Sequence, residues 1–200
     1  SYTFTDNPLT VTKTYRTGSG NSAAHTVTTT YTYDPHSDKL LTTTVTFGDD
    51  GTEHVVSSLT YDDLGRVTFD SRDEIGDAVT YAYDLHGWPT GISSPLFTEQ
   101  LNYASGPGTA RYNGDISSQL WQAADSVLRG YKFTYNTDDM LTHASYGEGE
   151  TVSGTNSRYG EYIDAFTSDN AISSLRRRGK RNNGSYGYID YLNYTYDGTK

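Results

Sequence analysis

Three places in the chain set two carboxylates side by side: Asp49-Asp50, Asp62-Asp63 and Asp138-Asp139. Paired acids suggest glycoside hydrolysis, which needs two carboxyl groups roughly 5–10 Å apart across a substrate cleft. Adjacent residues of a strand point to opposite faces, and adjacent residues of a turn face water. Adjacency in sequence therefore works against a catalytic pair, and no catalytic residue is assigned. The five histidines are His25, His36, His54, His86 and His143, and no two stand at H-x-H or H-x-x-x-H spacing. The stretch "DPHSD" offers Asp34, His36 and Asp38 to a cation. Aspartate is also what a turn at that place would carry, so no metal site is assigned. A calcium loop, a nucleophile elbow and a phosphate-binding glycine loop are all missing from the sequence, and no cofactor is expected.

Two groups of residues suit binding rather than catalysis. Trp88 and Trp121 can stack on sugar rings, although aromatic rows on strands also serve cross-strand packing. The stretch "LRRRGKR" (175–181) holds five of the fifteen Lys and Arg residues and centres on Arg176, Arg177 and Arg178. It reads as a basic strip for an anionic polymer or an acidic neighbour, or as a solvated face. The chain as a whole carries a formal charge of −10, with a pI near 4.7, which argues against nucleic acid as a partner.

The elements that must position these groups follow from composition. Hydrophobic residues make up 34% of the 200, nineteen of them are tyrosines, and mean hydropathy is −0.70. Tyr and Thr suit half-exposed strands; Gly and Asp suit turns. The aromatic content of 14% argues against disorder. Cysteine is absent, so disulfides and Cys-ligated metals are excluded. No apolar run is long enough for a membrane-spanning helix. The first residues, "SYTFTDNPLTVTK", lack signal-peptide features, and the chain reads as a fragment of a longer one.

One pattern recurs. "YTYDPHSDKLL" begins at Tyr31, "LTYDDLGRV" at Leu59, "VTYAYDLHGWPTGI" at Val79, "ARYNGDISSQLW" at Ala110 and "YKFTYNTDDMLTHA" at Tyr131. Weaker copies are "DAFTSDNAISSL" at Asp164 and "LNYTYDGTK" at Leu192. Their aromatic anchors are Tyr33, Tyr61, Tyr83, Tyr112, Tyr135, Phe166 and Tyr196, at an irregular period of roughly 20–30 residues. Alternation before the anchor predicts a strand. Asp34, Asp62, Asp84 or Asn136 then starts a turn. Gly65, Gly87, Asp139 or Asn170 supplies a left-handed position. Val67, Leu141 or Ile172 begins a return strand. Arg66 completes the best copy. Each unit is thus a predicted β-hairpin. The stretches "GDDGT" (48–52) and "DEIGDA" (73–78) link hairpins; "GSG" (18–20), "SGPG" (105–108) and "GEGETVSGTNS" (147–157) read as Gly/Ser-rich connections, the last as a longer, mobile surface loop or an insertion between repeats. "LWQAADSVL" (120–128) reads as a strand running into a turn.

The pattern resembles the YD repeat of RHS proteins, whose form is aromatic–x–Tyr-Asp-x-x-Gly-Arg-Leu. "LTYDDLGRV" fits it closely; stretches such as "YDLHGWPTGISSPLFTEQLNY" and "SDNAISSLRRRG" are similar to bacterial RHS proteins of the Bacteroidetes type. The likeness covers roughly residues 25–200. Departures are Asn113 and Asn136 in place of Asp, and Thr167 at the weakest copy. The resemblance implies hairpins that spiral into a hollow shell, which in polymorphic-toxin relatives encloses a toxic C-terminal domain. In teneurins a similar shell belongs to an adhesion receptor. Asp34-Pro35 stands alone, without the Gly-Leu that follows in the family's cleavage motif, so autoproteolysis is not expected.

The fold expected is all-β, with consecutive antiparallel hairpins in an open, curved repeat sheet that occupies residues 1–200 as a single region. The function implied is a non-catalytic shell segment of a large bacterial protein, secreted or at the cell surface. Its partners would be neighbouring repeats and an effector domain, with edge-mediated dimerisation as a further expectation. The alternative is a surface adhesion or carbohydrate-binding module that uses Trp88 and Trp121.

Overall fold

The computed structural model describes residues 1–16, 24–48, 51–72, 76–155 and 158–196. Asp49-Asp50 and the 18–20 stretch lie outside the described residues, as does part of 73–78. The described residues form fourteen antiparallel β-strands and no helix. Two compact units divide the chain. The first comprises Ser1–Ala82 with Ser93–Pro95, and the second Tyr83–Ile92 with Leu96–Lys200.

The first unit carries β1 (Thr10–Arg16), β2 (Ala24–Tyr33), β3 (Leu40–Phe47), β4 (Glu53–Tyr61), β5 (Val67–Arg72) and β6 (Asp77–Tyr83). The second carries β7 (Pro89–Ser93), β8 (Phe97–Asn102), β9 (Ser118–Ala123), β10 (Leu128–Tyr135), β11 (Leu141–Glu148), β12 (Glu161–Phe166), β13 (Ile172–Lys180) and β14 (Tyr186–Asn193). Within each unit strand order follows the sequence, and neither order closes on itself. β1 pairs with β2 alone, and β14 with β13 alone.

Threonine builds much of the first unit. Thr28, Thr30 and Thr32 face Thr46, Thr44 and Thr42 across β2 and β3. The Thr32 and Thr42 hydroxyls meet at 2.6 Å, and Thr12 reaches Thr28 at 3.3 Å. β-Branched hydroxyl residues fit a wet pleated face and supply cross-strand bonds in place of an apolar core. Apolar burial is correspondingly thin. Among the described residues the buried hydrophobic side chains are Val79, Tyr103, Leu120, Ala144, Tyr146 and Val152, and only Val79 belongs to the first unit. The extensive packings join strands that neighbour one another in the order, so each unit is a single layer.

The second unit is thickened where loops fold back on β8–β11. Gly130 and Gly147 stand opposite each other on β10 and β11. The notch they leave takes Val152. A Cβ on Gly147 would lie 2.2 Å from the Val152 carbonyl carbon, and one on Gly130 would lie 2.6 Å from Val152 Cγ2. Residues 149–155 therefore pack down on the sheet, where sequence reading expected a mobile loop; Val152 is 3% exposed and takes φ 46° to do so. The second thickening is the 103–117 loop between β8 and β9. Its base is polar: the Ser117 hydroxyl donates to the Asn102 and Ser105 carbonyls at 3.1 and 3.2 Å, and Asn102 Nδ2 donates to Ser118 Oγ at 3.2 Å. Ser117 and Ser118 are fully buried. These bonds satisfy groups whose burial would otherwise be costly.

Candidate functional site

The hairpin turns repeat one geometry. In the β4–β5 turn the Asp62 amide donates to the Arg66 carbonyl at 3.0 Å, and the Gly65 amide donates back to the Asp62 carbonyl at 2.9 Å. Asp62 Oδ1 accepts the Leu64 and Arg66 amides at 3.0 and 2.9 Å, and Oδ2 accepts Arg66 Nε at 2.7 Å. Gly65 takes φ 83°, a left-handed position that only glycine holds without cost. The ladder slips by one residue between Thr60 and Tyr61, which makes a glycine bulge, and Tyr61 then faces Val67.

The same bonds recur at Asp84 with Trp88 and Gly87, and at Asn136 with Met140 and Asp139. Thr167 with Ala171 and Asn170 forms another copy. Asp139 and Asn170 occupy the glycine position at φ 58° and 63°. Tyr33, Tyr135 and Phe166 face Leu40, Leu141 and Ile172 across the bulge. The β2–β3 turn is one residue longer: the Asp34 amide donates to the Lys39 carbonyl, and the left-handed residue is Asp38. Sequence reading missed one copy. Arg181, Gly184 and Ser185 make this turn between β13 and β14 with Asn183 capping Ser185, but no aromatic precedes it.

The aspartates are held below their ordinary pKa. The Ser37 amide is the main cause at Asp34, and the Arg66 amide at Asp62. At Asp84 desolvation is the largest influence and opposes the shift, but the bonds from Trp88 and His86 outweigh it.

The tyrosines tie one hairpin to the preceding one. The hydroxyls of Tyr33, Tyr61, Tyr103, Tyr135 and Tyr196 donate to the carbonyls of Pro8, Leu40, Pro89, Ile116 and Ile172 at 2.6–2.9 Å. Burial raises the phenol pKa at the first four. Tyr103 belongs to this series, whereas Tyr112 was the anchor expected from sequence. Tyr112 lies in the 103–117 loop with 80% of its surface exposed, because its aspartate-like neighbour Asn113 caps a loop and not a strand end. The usable signal was "LNY" at 101–103, the alternation that closes β8.

Trp88 and Trp121 are placed apart. Trp88 stacks on His86 at 4.5 Å between ring centroids and packs against Tyr103 at 5.0 Å. With Asp84, Arg111 and Tyr112 they line a groove of about 340 Å³ between the Asp84 turn and the 103–117 loop. Arg111 is already engaged: it bonds Asp115 at 2.6 Å, pairs with Asp139 and lies over the Tyr135 ring. Trp121 instead stacks on Tyr131, part of an aromatic row on β9–β11.

The basic strip is divided by the pleat. Arg176 grips Asp164 through Nε and Nη2, each at 2.5 Å, and its guanidinium sits over Tyr162 and Tyr188. Arg177 pairs with Asp190 on the other side. Arg178 lies over Tyr188. Two of the three guanidiniums are thus neutralised by neighbouring strands, so the run does not present a continuous positive surface. Asp62 of the Asp62-Asp63 pair is committed to its turn, and Asp139 of the Asp138-Asp139 pair to Arg111. No cluster of three metal-ligating side chains occurs among the described residues.

No family model matches the chain, and no curated protein matches it. Among solved structures it is similar to TcdB2-TccC3 without the hypervariable C-terminal region, at 14% identity and a TM-score of 0.41. That match covers 100% of this chain and 14% of the other. The Tc holotoxin pore of Photorhabdus luminescens matches over 92% of this chain and 13% of its own, at 14% identity and a TM-score of 0.37. A porin-like protein of Bacteroides uniformis matches over 85% and 55%, at 18% identity and a TM-score of 0.32. The chain spans about one seventh of the toxin chains it matches.

Proposed function

We propose that the chain is a non-catalytic wall segment of a large exported protein of the RHS type, in which such repeats surround or present a separate effector domain. The observation that carries this reading is the phenol–carbonyl bond repeated at Tyr33, Tyr61, Tyr103, Tyr135 and Tyr196. It fixes each hairpin to the one before and has no chemistry directed outward. A single layer with so few buried apolar side chains gains its stability from neighbour-to-neighbour contacts, as repeat arrays do. Of the carboxylates that suggested catalysis, Asp62 caps its turn and pairs with Arg66, and Asp139 pairs with Arg111. Limited proteolysis of the full-length protein tests the reading. Peptides from an enclosed domain should resist cleavage until the repeats are denatured. Cleavage of that domain at the rate of its isolated form would refute enclosure.

A second reading, glycan binding, rests on the groove beside Trp88, where His86 and Tyr112 are exposed and which Asn102 and Ser105 also line. Saturable binding on a glycan array that disappears with Trp88→Ala and survives Trp121→Ala would favour it.

A further inference from the structure

A row of aromatic rings crosses the second unit. Trp121 on β9 stacks on Tyr131 on β10, with centroids 5.5 Å apart; Tyr131 meets Tyr146 on β11 at 5.7 Å, and Tyr146 meets Tyr159 at 5.0 Å. Tyr159 meets Tyr186 on β14 at 5.6 Å. The row arises from register. Tyr131 and Tyr146 are direct partners across β10 and β11, and Trp121 is on the diagonal from β9. The Tyr131 hydroxyl donates to the Tyr159 carbonyl at 3.0 Å, which pins Tyr159 in place.

The middle of the row and its far end differ in surroundings. Tyr146 is 5% exposed, and burial together with its bond to Glu148 pushes its phenol up to about 12. Tyr159 and Tyr186 are 40% and 37% exposed, and their hydroxyls share a hydrogen bond at 3.1 Å. Arg158 lies over the Tyr186 ring at 5.0 Å. The ortho carbons flank each hydroxyl, so the shared bond holds two reactive ring edges together. Half-exposed rings can turn from their edge-on contact toward coupling. The chain has no cysteine and a single methionine, the side chains that normally take up oxidising equivalents first. Tyrosine and tryptophan are then its principal oxidisable groups.

We propose that Tyr159 and Tyr186 are an oxidative cross-linking site, fed through the aromatic row, whose product is a dityrosine staple between the segment preceding β12 and the start of β14. Each phenol loses one electron and one proton to become a phenoxyl radical. The two radicals join through their ortho carbons, and the ortho hydrogens shift to the oxygens to restore both phenols. The pair loses two hydrogens in total. Hydrogen peroxide, used through a haem peroxidase, takes up the two electrons and two protons and becomes two waters. The staple closes a loop of 27 residues in sequence separation, and a covalent loop closure of that kind restrains the unfolded chain as a disulfide does.

The test treats the full chain with a haem peroxidase and limiting hydrogen peroxide. Peptide mass mapping and dityrosine fluorescence follow the product. The expected result is an intramolecular cross-link between the peptides holding Tyr159 and Tyr186, two hydrogens lighter than their sum, and a higher melting temperature. Tyr186→Phe should abolish the fluorescence, while Tyr191→Phe, at a residue that is 65% exposed, should leave it unchanged. Cross-links that follow exposure alone, at Tyr112 or Tyr191, would overturn the proposal. So would products only between molecules, or no product from folded protein. If Tyr186→Phe fails to fold, the peptide map of the unaltered chain decides by itself.

Discussion

The Tyr61 hydroxyl donates to the Leu40 carbonyl at 2.6 Å, 21 residues earlier in the chain. Tyr61 ends β4 and Leu40 begins β3, so the bond spans from one hairpin turn to the strand that leaves the previous turn. Tyr61→Phe keeps the ring and removes only this donor. The expected cost is about 1 kcal/mol, the usual net worth of such a bond, or a fall of roughly 2–4 °C in melting temperature for a chain of this size. Tyr103→Phe should cost as much, because its hydroxyl makes the equivalent bond to Pro89. Tyr112→Phe should stay within about 0.5 kcal/mol. Thermal melts of the three variants check the assignment of Tyr103 as the repeat anchor; a larger effect at Tyr112 would restore the pattern expected from sequence.

The left-handed turn position gives predictions of opposite sign. Gly65→Ala places a side chain at φ 83° and should cost about 1–2 kcal/mol. Asn170 occupies the same place in its own turn at φ 63° without being glycine. Asn170→Gly should therefore stabilise the protein by about 0.5 kcal/mol, the relief of left-handed strain less the greater freedom of glycine when unfolded. Urea titration measures both, and a loss of stability on Asn170→Gly would show that the Asn side chain has a bonding role of its own.

Most of this fold could be read from local patterns, because its units are local. Alternation predicted strands ending at Tyr33, Tyr61, Tyr83, Tyr135, Phe166 and Tyr196; the first five end there, whereas the last strand stops at Asn193. The Asp or Asn cap and the left-handed residue three positions on were legible for the same reason, since turn chemistry is set within five or six residues; the longer Asp34 turn, with its left-handed residue at Asp38, was not. Tyr112 misled because "YNGD" carries the turn residues without a strand before them. The β13–β14 turn was missed for the converse reason, since Arg181 stands where an aromatic was sought. Long-range partners were not legible. Nothing near Arg176 announces Asp164, and nothing in "GEGETVSG" announces that Val152 fills a notch made by two glycines on other strands.

Acid should loosen the protein in a defined window. Arg129 donates to both Asp125 carboxylate oxygens through Nη1 and Nη2, and this contact is the chief cause that lowers the Asp125 pKa from 3.8 to about 2. A carboxylate depressed in the fold contributes stability that is fully present above its unfolded pKa and is lost as pH falls through the folded value. Asp34, Asp62 and Asp84 shift in the same direction. Melting temperature should thus fall progressively as pH drops from about 4 toward 2, and Asp125→Asn should flatten part of that decline. His143 adds a separate, higher step. Burial first, and Arg176 second, hold its pKa below 6.5, so the fold favours the neutral ring. Its contribution is lost as pH falls below 6.5 through the folded value. His143→Gln should remove the dependence in that range and leave the acid step intact; an unchanged profile between pH 7 and 5 would show that His143 titrates alike in both states.

The glycine pair on β10 and β11 makes the last prediction. A methyl group at Gly130 would meet Val152 Cγ2 at 2.6 Å and the Gln119 carbonyl at 2.7 Å. The first clash is with a side chain that can be cut back, the second with backbone that cannot. Gly130→Ala alone should cost about 1–3 kcal/mol, the range for overpacking a filled site. Val152→Ala alone should also destabilise, since Val152 is 3% exposed and its methyls fill the notch. Together the two changes should cost less than the sum of their separate effects, because the alanine methyl at 130 takes space vacated by Val152, while the contact with Gln119 keeps the pair below the parent. Contacting residues coupled in this way depart from additivity by about 0.5 kcal/mol or more. A double-mutant cycle by urea denaturation reads that coupling. Additive losses would mean that Val152 leaves the notch when it is blocked and that the segment is then held by its remaining bonds, Ser153 with Glu148, Gly149 to Leu128 and Thr155 to Tyr146.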